Sequence, residues 1–297
     1  MAATVEVTGA APAARSQPDT GLVGPDSVTW QLHCDPSMWI GGIRSLYLQA
    51  LHPRAVAGVV QNSDFQRDPL GRLFRTGHYV ALTTYGTTHD AHRAAARVRG
   101  VHRRLRATDR ETGETFRIDD PDLLLWVHCA EVASFLDVAR LAGFALTNAQ
   151  ADRYFDEQRA VAALMGLDAA EVPGSVSQMA SYFADMRPRL RMSEDAELVY
   201  RFLHRPPLNN ALRLGIPAYE RLMGHLAYSL LPRWGLRMYS HRGYPWPVAS
   251  SMLHAARSAA VRAPRRTPFI GWGPQVWDAV DRLGRDAMPS EHRLPTC

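Results

Sequence analysis

The chain has 297 residues, a formal net charge of +5 and a pI near 9.4, which is length enough for one large domain or two small ones around a proper core. Its 46% hydrophobic and 21% charged residues exclude a mostly disordered chain, and the complete absence of lysine excludes Schiff-base chemistry, a lysine general base and a P-loop lysine. The three cysteines, Cys34, Cys129 and Cys297, form no CxxC pair, so zinc-ribbon and dithiol redox readings fail, and their odd number suits a reducing compartment.

In chain order, residues 1–26 are rich in Ala, Thr, Pro and Gly without periodicity and read as a flexible N-terminal arm. They lack the basic start and apolar stretch of a signal peptide, and no apolar run is long enough to span a bilayer, so a cytoplasmic protein without stable membrane insertion is expected. Residues 27–297 read as a single all-helical domain, its ordered body starting near Val28. Trp39, Ile43, Leu46, Tyr47 and Ala50 place a helix over Ser37–Leu51, ended by Pro53. Its Gly41–Gly42 pair is costly in a helix and points to close approach of another backbone or of a flat ligand, plain helix packing being the favoured of the two.

A second helix is expected from Pro69 to Thr84, stopped by Tyr85–Gly86, and a third from Thr88 or Asp90 to about Arg106. Asp120–Pro121 opens a long apolar fourth helix, as an acidic N-cap followed by proline at the first helical position. Thr147 and Gln150 form a capping box for a fifth, running to about Met165. Further helices fall near 174–190, 194–203, 216–231, 247–263 and 273–286, with the Pro/Arg-rich stretch 263–268 as a surface connection. Alternating β-branched runs are nearly absent, so the fold class is all-α. Trp39, Tyr47, Phe65, Trp126, Phe135, Tyr182 and Phe183 are core residues by default.

Of the twelve histidines, His33, His241 and His292 fall in loops, where surface roles are the default, and His52 sits at a helix C-terminus, where the dipole favours it. His102 differs. It lies on the third helix along the stripe of Ala91, Ala94, Ala95, Val98, Val101 and Leu105, opposite Arg93, Arg97, Arg103 and Arg104. A buried imidazole needs a partner. Two readings meet that need: a core histidine bonded to a carbonyl or carboxylate, or an axial ligand to haem iron, whose propionates would take nearby arginines. Arg72, Arg75 and Thr76 share one side of the second helix, either as a salt-bridged face or as donors over an oxygen-binding pocket. His128 and Glu131 are a lone, reversed version of the Glu-x-x-His pair that a di-iron bundle uses twice, so His128 reads as a core or pocket residue.

Three features then carry a family resemblance: the LQALHPRAVAGV stretch, the GRLFRT segment followed by YG, and the RVRGVHRRLR helix. Together they resemble the MpaB-type and latex-clearing (rubber) oxygenases over roughly residues 30 to 260. The resemblance implies a globin-like helical core holding haem b, with His102 as proximal iron ligand and Arg72, Arg75 and Thr76 on the distal side. It further implies an oxygenase or oxidase that takes O2 and a small hydrophobic metabolite (terpenoid, lipid-like or cyclic-peptide-like), with Arg72 also counted among the cofactor-binding residues. Rubber-cleaving relatives carry a lysine where this chain has Arg75, which argues against polyisoprene as substrate. The competing class is a haem-binding sensor or carrier without turnover. Nucleic acid is not an expected partner, because 29 acidic residues balance the arginines and no helix-turn-helix stands out.

Overall fold

In the computed structural model, residues 18–63, 67–207, 210–267 and 271–296 are described. Residues 1–17 of the expected arm, Phe65 and Cys297 lie outside them. The remainder of that arm, 18–26, is tied down. Asp19 accepts from the Thr88 N–H (2.9 Å) and hydroxyl, its carbonyl accepts from Arg282, and the Pro25 carbonyl accepts from Gln31.

The architecture is an all-α multi-helix bundle with one small hairpin. The first helix, α1 (Val28–Leu32), is short. Ser27 caps it, and Glu157 accepts from the N–H groups of Val28 and Thr29, which places a carboxylate at the positive end of the dipole. Helix α2 (Met38–Ala50) crosses α6 (Pro121–Leu141) at the centre of the molecule. The crossing is tight because Gly41 has no side chain: a Cβ there would stand 3.2 Å from both the Ser134 carbonyl and the Phe135 ring. The packing reading of the glycine pair therefore holds. Buried Arg44 locks the crossing by donating to Ser134 Oγ (2.8 Å), Asp137 (2.9 Å) and the Leu230 carbonyl (2.8 Å).

Helix α3 (Pro53–Asn62) was not expected. Pro53 does end α2, but it also opens α3, with His52 as N-cap accepting from Ala55 N–H. His52 thus serves the start of the next helix rather than the end of the previous one, and burial holds its imidazole down at about 4. Helices α4 (Pro69–Tyr85) and α5 (Thr88–His102) pack on each other. The third expected helix ends at His102, about a turn early, because the chain enters a hairpin of β1 (Arg106–Thr108) and β2 (Thr115–Arg117) that buries Ala107 against Phe116. Gln61 and Asn62 at the end of α3 hold that hairpin by hydrogen bonds to Thr108 and Arg106. The capping box at Thr147 and Gln150 forms as read and starts α7 (Asn148–Leu164), which packs against α6.

The second half comprises α8 (Val176–Met186), α9 (Glu194–His204), a helical stretch over 216–229 interrupted by a π turn at Glu220–Gly224, α12 (Arg233–Tyr239), α13 (Trp246–Arg262) and α14 (Pro274–Leu283). The 216–229 stretch counts as α10 (Ile216–Tyr219) and α11 (His225–Ser229) on either side of the turn. The largest core cluster unites Tyr47, Leu51, Trp126, Leu226, Tyr228 and Tyr239. Two single-residue readings need correction. Val101 is 51% exposed and so lies off the stripe of α5, which runs through Ala91, Ala95 and Val98 to half-buried His102. His33 is an interior residue bonded to both α4 and α7, because the α1–α2 corner is covered by those helices.

Candidate active site

His102 occupies the last position of α5 and is partly buried. Its Nδ1 is sealed from solvent without a hydrogen-bond partner, so that nitrogen has neither the carbonyl nor the carboxylate a core histidine would use. Asp119 is the nearest candidate acid, but it is held by Arg117 through two bonds of 2.8 and 2.6 Å. Burial lowers the imidazole below its ordinary value, with Asp119 opposing weakly, so His102 is neutral at neutral pH. The ring lines a cavity of about 190 Å³ together with Arg99 and Arg103 of α5, Asp119, Pro121 and Leu124 at the head of α6, and Met165 and Gly166 beyond α7.

Leu124 opens a stripe on α6. His128 and Glu131 follow it at helical spacing on the same face. Helix α2 covers one side of α6 and α7 another, whereas neither α4 nor α5 packs closely on it. The stripe therefore faces a slot between the α4–α5 pair and α6. His128 and Glu131 keep accessible surface although they sit deep in the molecule, so this surface faces the slot and not the solvent. His128 Nε2 is buried without a partner, and burial pushes its imidazole down to about 4. Glu131 makes no hydrogen bond or ion pair, and burial pushes its carboxyl up to about 7. From the other wall, Tyr79 Oη and Arg99 Nε are likewise buried and unpartnered. Charges on Glu131 and Arg99 both act on the Tyr79 phenol, which puts the three within electrostatic reach.

Beside Glu131 the slot ends on a satisfied chain. Thr84 donates to the Val80 carbonyl and so accepts from His33 Nδ1 (2.8 Å), which leaves His33 Nε2 to accept from the Tyr154 hydroxyl (3.1 Å). Burial lowers His33 to about 3, in keeping with this neutral tautomer.

The three residues singled out on the second helix lie on α4. Arg72 is half-buried and donates to Ser63 Oγ; burial, and then the charge of Arg75, lower its pKa. Arg75 is exposed and pairs with Asp68 at 3.0 Å, and Thr76 is exposed and donates to the Arg72 carbonyl. Arg72 and Arg75 are neighbours, but none of the three lines the His102 cavity. Sequence reasoning passed over Tyr79 and also Arg99, whose position one turn before His102 was a usable signal. His128 was read as a core or pocket residue, and Glu131 was weighed only within a metal motif.

These residues fit a haem by the chemistry of their donors. An imidazole buried without a partner is what an iron ligand looks like on the protein alone. Arg99 and Arg103 in the same cavity are suited to propionates. The cavity at His102, about 190 Å³, is smaller than cofactor pockets usually are. Among the described residues, no group of three or more His, Cys, Asp and Glu is placed to hold a bare metal ion, and no helix is long and apolar enough to cross a membrane.

Comparison with known proteins gives no match among curated proteins and none among solved structures. The family described as ER-bound oxygenase mpaB/B'/Rubber oxygenase, catalytic domain, matches residues 30–263, well over half of the chain and the whole of the slot. The chain therefore belongs to the mpaB/rubber oxygenase catalytic-domain family.

Proposed function

We propose that this chain is a haem b-dependent oxygenase or oxidase that takes O2 and a small hydrophobic metabolite, working in the cytoplasm, with His102 as the iron ligand. The observation that carries the reading is the unpartnered buried imidazole of His102, set in a cavity with two arginines at the end of an internal slot. Haem b, when bound, supplies the iron at which oxygen is activated. The chain's own residues do the rest. His102 is kept neutral by burial and so offers a lone pair at neutral pH. Arg99 and Arg103 balance anionic groups at the cavity wall. In this reading Arg72, assisted by Arg75 and Thr76, would supply hydrogen-bond donors toward the oxygen substrate and stabilise developing negative charge. Arg72 is the best placed of the three, since it alone is half-buried.

The test is the ultraviolet–visible spectrum of the purified protein supplied with haem, beside a His102→Ala variant. A strong Soret band in the wild type, lost or shifted in the variant, is the expected result. A wild type that takes up no haem, or a variant with an unchanged spectrum, defeats the assignment.

A further inference from the structure

The slot carries more polar groups than a haem with a hydrocarbon substrate would use. Tyr79 Oη, on α4, and His128 Nε2, on α6, are sealed from solvent and bonded to nothing. Glu131, one turn beyond His128 on the same face of α6, has no hydrogen bond and no counter-ion. The neighbouring interior polar chain, Thr84–His33–Tyr154, is by contrast fully bonded. Among the described residues, four of the five buried side-chain atoms without a partner belong to Tyr79, Arg99, His102 and His128, around the slot and the His102 cavity; the fifth is Ser37 Oγ at the start of α2. Buried polar groups are rarely left so unless something outside the chain completes them.

The chemistry of the three groups narrows what that partner is. A phenol, an imidazole nitrogen and a carboxyl between them offer both donors and acceptors. A hydrocarbon would bury all three without satisfying any. A carboxylate ligand would bring a second negative charge to Glu131, whose carboxyl is shifted by burial alone and takes no compensation from Arg99, the cation that acts on Tyr79. A hydroxyl both donates and accepts, and carries no charge. We propose that Tyr79, His128 and Glu131 bind the hydroxyl-bearing end of a neutral amphiphilic substrate, such as a terpenoid alcohol, within the slot. The inference rests on reading this slot as the oxygenase site, and it narrows the substrate class from hydrophobic metabolites in general to neutral alcohols. It also accounts for the departure from polyisoprene: a polymer of pure hydrocarbon gives these groups nothing to bond.

The experiment is calorimetric titration of the full-length protein, with and without added haem, with geraniol, its parent hydrocarbon and geranic acid. Geraniol is expected to bind roughly tenfold or more tightly than either analogue, as follows from leaving buried polar groups unmatched. In Glu131→Leu the alcohol's advantage over the hydrocarbon should collapse while hydrocarbon affinity is retained or improved. Tyr79→Phe, which removes a single oxygen, should narrow the gap by several-fold and serves if the leucine variant does not fold. Equal affinity for alcohol and hydrocarbon in the wild type overturns the proposal, since it would mean that trapped water satisfies these groups. So does binding of none of the three, or an unchanged preference in both variants. Failure here is separable from failure of the haem assignment. An alcohol preference without a His102-dependent Soret band leaves the binding site standing and removes the haem, and the converse pair of results does the reverse.

Discussion

At the scale of single residues, the interior of this protein holds titratable groups pushed in opposite directions, and this sets a pH dependence. Glu131 has a carboxyl raised from 4.5 to about 7 by burial. The folded chain therefore retains a proton that the unfolded chain releases. Its contribution is intact below about pH 4.5, declines as pH rises, and is lost above about 7. The full shift corresponds to a penalty of at most about 3 kcal/mol at neutral pH. Glu131→Gln removes the ionisation while keeping shape. The variant should match the wild type near pH 4.5 and exceed it by about 1–3 kcal/mol near pH 8, read from urea midpoints at the two values. A stability gap that is the same at both pH values would show that the carboxyl does not titrate in this window. His33, His128 and His52 act in the other direction. Their imidazoles lie between about 3 and about 4, below the ordinary 6.5, so they cost stability as pH falls beneath 6.5. His33 and His52 are bonded, but the unpaired burial of Glu131 and His128 has no structural benefit, and that is the physical reason to seek its purpose in binding.

At the scale of elements, the α2–α6 crossing gives adjacent glycines opposite roles. A Cβ on Gly41 would meet the Ser134 backbone carbonyl and the Phe135 ring at 3.2 Å, and a backbone atom cannot swing aside. A Cβ on Gly42 would meet only the end of the Phe135 ring, at an ordinary 3.7 Å. Gly42→Ala should therefore gain about 0.5–1 kcal/mol from helix propensity, whereas Gly41→Ala should lose about 1–3 kcal/mol through overpacking. Thermal melting of the two variants decides it: shifts of the same sign would mean that the crossing relaxes freely. These helices were legible in the sequence because their signals are local. Asp120 and Thr147 each mark a helix start, and Pro53 marks an end. What was not legible depended on neighbours. Helix α3 was missed because a proline that ends one helix can equally open the next. The hairpin was missed because its three-residue strands carry only one buried position each. His102 was found because it lay on a readable stripe, but Glu131 was not. Which face of α6 is left bare depends on α2 and α7 covering the other faces, and no periodicity within α6 records that.

At the scale of the whole molecule, packing is uneven in a way that bears on function. Helix α6 is clasped by α2 and α7, with Arg44 and the Gly41 contact fixing one side and the cluster of Cys129, Val132, Leu136 and Tyr154 the other. The α4–α5 pair leans on its own partners, through Ala91, Ala95 and Leu164, but not closely on α6. A group entering the slot would thus add contacts on the side of α6 where α4 and α5 pack least closely. If haem binds there through His102, the stabilisation should be local before it is global, because binding closes the openings of the least-packed segment first. Amide hydrogen exchange with and without haem measures this directly. Protection should rise in 69–102 and in the 124–131 face of α6, while the already slow amides at the α2–α6 crossing change little. Uniform protection across the bundle would instead indicate that haem acts by suppressing global unfolding. Protection confined to the surface around α9 and α12 would place the ligand at the other large concavity, beside Glu197 and His241, and away from His102 altogether.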